Sequence, residues 1–205
     1  MAFRNAKLIA FDGTHASGKT TIIYAVAALL RCRGVHVTTL GEPARASPFV
    51  DDVVIHNTGD FDVSLELDIF AAHIPNILRA ARSHDVVLAD KTPTNVLAYC
   101  EMLIPIESGT RDAEMASAMD RFCRTWGKVY DAVFFCQDHY LVERGGDKYR
   151  ARVIDLQVQA DGLLRAEHAR LDQPIIEMPR ALDIGERARW VVVRMEKLGL
   201  IEGEY

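Results

Sequence analysis

The chain has 205 residues, of which 26% are charged and 49% are hydrophobic. This composition excludes the low hydrophobicity that marks intrinsic disorder, and the length suits a single domain over residues 1–205. The formal net charge of −5 and the lack of long basic runs argue against a nucleic-acid partner.

Cysteine spacing and hydropathy indicate the cellular compartment in which the protein is found. The four cysteines form no C-x-x-C pair, so we expect reduced thiols and no zinc site. The sequence has no run of about 18 apolar residues, the length that a membrane-spanning helix needs. The apolar stretch in the first residues is too short for a secretory signal. The sequence therefore predicts a cytoplasmic protein with no membrane partner.

The hydrophobic pattern predicts alternating strands and helices. The predicted strands cover residues 6–12, 35–40, 85–90, 132–136 and 174–178. The predicted helices cover residues 18–30, 65–82, 94–102, 111–126, 153–171 and 184–198. Such alternation is typical of a parallel sheet with helices on both faces, a three-layer α/β/α fold. The polar, glycine-containing stretch 137–152 is predicted to be a mobile lid.

A phosphate-binding motif, GTHASGKT, follows the first predicted strand and opens the first predicted helix. Its backbone N–H groups and the helix dipole favour phosphate. We expect Lys19 to reach the β- and γ-phosphates of ATP and the Thr20 hydroxyl to bind Mg²⁺. The predicted nucleotide-binding residues are Gly13, Thr14, His15, Ala16, Ser17, Gly18, Lys19, Thr20 and Thr21.

Two residues beside and within this loop have alternative roles. Asp12 ends the first strand, where its carboxylate could take a proton from an acceptor hydroxyl or could instead bond to loop amides as a structural residue. His15 either touches the acceptor or projects into solvent.

A second carboxylate ends the run VVLAD, and parallel strands place such a residue at the edge of the sheet where magnesium and substrate bind. Asp90 could hold Mg²⁺ or orient the acceptor, and the alternative is the N-cap of the following helix. Lys91 beside it is a candidate phosphate contact.

Four cations lie in the predicted lid: Arg144, Lys148, Arg150 and Arg152. A closing lid would bring them onto the charge of the transferred phosphoryl group, and a solvated basic loop is the alternative. Arg144 and Arg150 are the leading catalytic candidates because Arg forms forked contacts with phosphate.

Several motifs resemble the thymidylate kinases and related nucleoside and nucleoside-monophosphate kinases. GTHASGKTT is similar to that family's phosphate loop, Glu42-Pro43 to its Glu-Pro-Gly-Gly, and DKTPTNVLAYCE to its Asp-Arg-Tyr segment. The resemblance implies a P-loop fold with a 2-3-1-4-5 sheet, an acceptor pocket and an adenine contact in 179–183. His15 stands where the family has an Asp that holds the substrate sugar, so we do not expect strict thymidylate specificity.

Glu42 and Arg45, spaced as Glu-x-x-Arg, also resemble nicotinamide riboside kinase-like proteins, which implies a nucleoside acceptor. Phe70 and Tyr99 line the acceptor pocket or pack in the core. The hypothesis is therefore an ATP- and Mg²⁺-dependent kinase of a small nucleoside or nucleotide, with a nucleotide-dependent switch as the alternative. The family also implies a possible homodimer through 70–82 and 111–126.

Overall fold

The computed structural model describes residues 6–56, 58–140 and 157–203. Its strands are β1 (Lys7–Asp12), β2 (Val37–Leu40), β3 (Val86–Asp90), β4 (Ala132–Phe135) and β5 (Ile176–Glu177). Its α-helices are α1 (Lys19–Cys32), α2 (Pro48–Val54), α3 (Val63–Ala80), α4 (Pro93–Leu103), α5 (Arg111–Trp126), α6 (Gln157–Arg170) and α7 (Ile184–Lys197). Within the described ranges, no helix combines the length and the apolar character that crossing a membrane requires.

The five strands form one parallel sheet in the order β2-β3-β1-β4-β5. β1 lies at the centre, where Ala10 pairs with Ala89 of β3 and with Val133 of β4. This order confirms the predicted 2-3-1-4-5 sheet. Because β1 and β3 are neighbours, the ends of both strands, Asp12 and Asp90, lie at the same edge.

Helices cover both faces of the sheet. Ile9 and Phe11 of β1 pack with buried residues of α1 and α7, whereas Leu8 packs with Ile77 of α3 and Trp126 of α5. Successive side chains of a strand point to opposite faces, so β1 is buried on both sides. This burial explains why the strands appear in the sequence as continuous apolar runs without alternation.

The segment after β2 differs most from the prediction. A short 3-10 helix, Pro43–Ala46, precedes α2. Neither of these two helices was predicted from the sequence. Both begin with a proline, which suits the first helical position because its missing N–H would have no partner there. These two prolines are the feature of the sequence from which the two helix starts could have been predicted. β5 is also shorter than predicted, with two residues in place of five.

Helix α3 begins two residues before its predicted start at Leu65. The carboxylate of Asp62 accepts a hydrogen bond of 2.8 Å from the backbone N–H of Leu65 and so caps the helix. An N-cap aspartate satisfies one of the amides that a helix start leaves without an intrahelical partner. Asp62 therefore fixes where α3 begins.

We expect Asp62→Ala to lower the free energy of unfolding by about 1 kcal/mol, because it removes this cap. Urea unfolding followed by circular dichroism measures the change. Asp60→Ala, at an exposed position just before the cap, is the matched control and should change stability by less than about 0.5 kcal/mol. Equal losses in both variants would contradict the capping role.

Candidate active site

The loop between β1 and α1 closes around the ammonium group of Lys19. Its Nζ donates to the carbonyl of Thr14 at 2.6 Å and lies 3.3 Å from the hydroxyl of Ser17. The N-cap residue of α1 is Gly18, which has no side chain with which to cap the helix. The first amides of α1 can therefore donate to an anion, as in a phosphate-binding helix start.

Gly13 is required at the first position of this loop. Its φ of 131° lies in a region that side chains rarely adopt, and a Cβ there would sit 2.4 Å from the carbonyl oxygen of Cys136. The loop can thus leave β1 at this angle only because residue 13 has no side chain.

Thr20 and Asp90 meet at the edge of the sheet. The Thr20 hydroxyl donates to Oδ2 of Asp90 at 2.6 Å, while Oδ1 of Asp90 is buried and has no hydrogen-bond partner among the described residues. Burial raises the pKa of Asp90, and the charge of Lys19 opposes that rise. One carboxylate and one hydroxyl fit Mg²⁺, which takes most of its other ligands from water and phosphate.

The alternative role of Asp90 as a helix N-cap is wrong. Thr92 occupies that position, and its side chain accepts from the backbone N–H of Asn95 at the start of α4.

Asp12 accepts four hydrogen bonds although it is fully buried. The donors are the N–H of Gly13 at 2.9 Å, the hydroxyl of Thr92 at 2.6 Å, the amide of Asn95, and Nε2 of His168 at 3.0 Å. Burial alone would raise the pKa of Asp12, but the hydrogen bond and charge of His168 and the other donors hold it well below its usual range. A carboxylate engaged in this way is a poor base.

These contacts favour the structural alternative for Asp12 over the catalytic one. His168 was not predicted as a site residue, because nothing in the sequence around it indicates that it contacts a carboxylate 156 residues earlier.

The donor cavity extends from the phosphate loop and has a volume of about 470 Å³. Arg187 of α7 lines this cavity and is 1% exposed. Its guanidinium group contacts the carboxylate of Asp138, and its Cζ lies 5.6 Å from the ring centroid of Tyr140. Arg187 was not among the site residues predicted from the sequence. Leu182 and Asp183 line the same cavity, within the segment 179–183 for which the family resemblance implies an adenine contact.

A second cavity of about 130 Å³, the acceptor cavity, lies between the segment after β2 and the helices α3 and α4. Its walls are mostly apolar. The lining residues are His15, Glu42, Ala44, Arg45, Val50, Val54, Phe61, Leu65, Glu66, Ile69, His73, Lys91, Asn95, Val96, Tyr99 and Leu103.

A buried ion pair forms one end of this cavity. Nζ of Lys91 lies 2.6 Å from Oε1 of Glu42 and 5.1 Å from the ring centroid of Tyr99, and Nε of Arg45 lies 3.6 Å from Oε2 of Glu42. Burial opposes both charges and is the largest single influence on each, but the neighbouring groups together outweigh it. Lys91, His15 and Lys19 lower the pKa of Glu42, and Glu42 with Tyr99 raises that of Lys91. The pair stays ionised.

The two cavities share three lining residues, His15, Glu42 and Arg45. The ring of His15 also lies 5.4 Å from that of Tyr99. The junction therefore lies beside the phosphate loop, where the end of a bound triphosphate would face the second cavity.

Four of the five predicted acceptor residues, Glu42, Arg45, Lys91 and Tyr99, line the acceptor cavity. Phe70 does not. It is 5% exposed and packs in the core, edge-on to Phe122 at 5.5 Å, as its alternative interpretation held.

The predicted lid cations, Arg144, Lys148, Arg150 and Arg152, lie outside the described residues, and their roles stay predictions. The homodimer also stays a prediction.

The parallel 2-3-1-4-5 sheet, the helices on both faces and the loop around Lys19 define a P-loop kinase-like fold of the three-layer α/β/α class. No model of a known protein family matches the chain, and no curated protein matches it.

Many solved structures are similar to this chain, and two of them illustrate the shared fold. The NadR protein in complex with NR has a TM-score of 0.70 and 14% sequence identity, and the match covers 100% of this chain and 54% of that chain. The chain thus spans about half the length of NadR. Thymidylate kinase from Candida albicans, described as having broad substrate specificity, has a TM-score of 0.66 and 12% identity, with 96% and 93% of the two chains covered.

Glu66, a second carboxyl group in the acceptor cavity, gives a pH prediction. It is 4% exposed, and burial raises its pKa from 4.5 to about 7. Between these two values the folded chain holds a proton that the unfolded chain has lost, so the free energy of unfolding falls as pH rises. We expect Glu66→Gln to be more stable than wild type by up to roughly 3 kcal/mol near pH 8.

That difference should shrink as pH falls and disappear below the unfolded pKa of 4.5, where both states are protonated. Urea unfolding at several pH values measures it. Asp68→Asn, on the same helix but outside the cavity, should follow the wild-type profile. A stability difference that is the same at all pH values would contradict the assignment.

Proposed function

We propose that this chain transfers the γ-phosphoryl group of ATP to a small nucleoside, nucleoside monophosphate or related sugar-containing metabolite. The observation that carries the proposal is the junction of the two cavities at His15, Glu42 and Arg45. It would bring a donor bound on the phosphate loop next to an acceptor bound in the second cavity.

The donor side of the proposal rests on Lys19, Thr20 and Asp90. An acceptor oxygen bonds to the γ-phosphorus while the bond from that phosphorus to the β-phosphate oxygen breaks, and ADP leaves. Lys19 stabilises the charge that spreads over the transferred oxygens. Thr20 and Asp90 would hold Mg²⁺, which supplies positive charge to the β- and γ-phosphates when bound.

Glu42 is the proposed carboxylate on the acceptor side. It lines both cavities, whereas the oxygens of Asp12 already accept four hydrogen bonds. When the acceptor atom is a hydroxyl, Glu42 accepts a hydrogen bond from it and orients it towards the γ-phosphorus. Because the pKa of Glu42 is lowered, the proton passes to the transferred phosphoryl oxygens or to solvent as the new bond forms. The ammonium group of Lys91 holds that carboxylate in place.

The acceptor class draws support from the structural neighbours, a protein solved with NR and a thymidylate kinase. The alternative, a nucleotide-dependent switch, gives no reason for a buried acceptor cavity beside the phosphate loop. A kinase requires one, so the cavity favours the kinase.

Lys19→Ala tests the donor side. We expect ATP-dependent phosphorylation to fall at least about a hundredfold, because the change removes the ammonium group that stabilises the charge of the transferred phosphoryl group. Circular dichroism should show a folded chain. Lys197→Ala, exposed in the last turn of α7, is the control and should retain activity. Near-wild-type turnover by Lys19→Ala would overturn the mechanism.

A panel of nucleosides and nucleoside monophosphates with ATP and Mg²⁺, with products identified by mass, tests the acceptor. We expect at least one compound to gain a single phosphoryl group. Thymidine monophosphate should be a poor substrate because His15 replaces the aspartate of the thymidylate kinases. ATP hydrolysis without any phosphorylated acceptor would favour the switch instead.

A further inference from the structure

Four residues of α3 line the acceptor cavity from one side: Leu65, Glu66, Ile69 and His73. Residues three and four apart on a helix share a face, so Glu66, Ile69 and His73 form a single stripe. The seven-residue step from Glu66 to His73 spans about 10 Å along the helix axis. α3 therefore supplies one long wall of the cavity, with a polar group towards each end.

Polar atoms on this wall and the facing wall have no partner within the described part of the chain. Nε2 of His73 and Oδ1 of Asn95 are both buried without a hydrogen bond. The Glu66 carboxyl forms neither a hydrogen bond nor an ion pair with another described residue. Buried polar groups are rarely left in this state, because each costs free energy of desolvation. Three such groups around one cavity indicate a polar ligand.

The orientation of the Asn95 side chain is fixed. Its amide nitrogen donates to the carboxylate of Asp12 and, at 3.3 Å, to the carbonyl of Gly13. The amide oxygen Oδ1 therefore lies on the opposite side of the Asn95 side chain, where it can accept a hydrogen bond from a ligand.

The cavity offers mainly hydrogen-bond acceptors. A carboxylate and an amide oxygen accept, while burial lowers the pKa of His73 to about 4, so its imidazole is neutral at neutral pH. The cations Lys91 and Arg45 both face Glu42. Burial raises the pKa of Glu66 to about 7, so near pH 8 its carboxyl group is mostly ionised and accepts hydrogen bonds without donating one. In that state a negatively charged or acceptor-only group placed beside Glu66 would meet repulsion.

We propose that Glu66 determines acceptor specificity, selecting compounds whose ring carries a hydrogen-bond-donating amino group over those with a carbonyl oxygen at that place. This inference rests on the proposed phosphoryl transfer. Apolar walls from Val50, Phe61 and Val96 enclose the ring, and the amino group donates to the Glu66 carboxyl.

Two matched pairs of nucleosides, cytidine with uridine and adenosine with inosine, test this inference near pH 8, where Glu66 is mostly ionised. Each pair exchanges an amino group for a carbonyl oxygen with little change in shape. We expect the wild-type chain to prefer the amino member by at least about tenfold, both in kcat/KM and in binding measured by calorimetry. Glu66→Gln should reduce that preference to less than about threefold, while the KM for ATP stays the same.

The ratio of two acceptors within one variant does not depend on how much of the protein is folded, so a purely structural role for Glu66 would leave it unchanged. Asp68→Asn should retain the wild-type ratio. A wild-type ratio near one overturns this inference even where Glu66→Gln fails to fold. Equal binding within both pairs, or no binding of either amino-bearing nucleoside, overturns this inference. Phosphorylation of another panel compound would still support the proposed function, whereas no phosphorylation at all overturns that.

Discussion

The carboxylate of Asp12 joins the parts of the molecule on which the site depends. It ends the central strand β1 and bonds at once to the phosphate loop through Gly13, to the start of α4 through Thr92 and Asn95, and to α6 through His168. A buried carboxylate without these donors would cost several kcal/mol. With them, the start of the phosphate loop and one wall of the acceptor cavity are held in a fixed relation.

The charges around the site are arranged in neighbouring opposite pairs. Lys19 lies in the field of Asp90, and Lys91 is paired with Glu42. The pairing keeps Glu42 and Lys91 ionised at a largely buried edge of the sheet, where isolated charges would become neutral. Lys19 and Asp90 also attract each other, but burial still lowers the pKa of Lys19 and raises that of Asp90. Among the described residues, no cation directly contacts Glu66, the other carboxyl group of the acceptor cavity.

The sequence predicted the parts of this structure that local patterns encode. The apolar strands, the motif GTHASGKT and the strand order followed from periodicity, spacing and family resemblance, and the junction residues Glu42 and Arg45 were among the predicted site residues. The contacts that arise only on folding were not predictable. His168 contacts Asp12, which lies 156 positions earlier in the chain. In the sequence alone, Glu66 cannot be distinguished from other polar residues of an amphipathic helix.

The division of the lining residues between the two cavities has a consequence for how such a protein changes over evolutionary time. Glu66 and His73 on α3 and Val50 on α2 line the acceptor cavity and not the donor cavity. If the proposed function holds, substitutions at these helical positions would alter the choice of acceptor without touching the groups around the triphosphate. Two structural neighbours share the fold at only 12% and 14% identity, so the fold tolerates such changes in sequence.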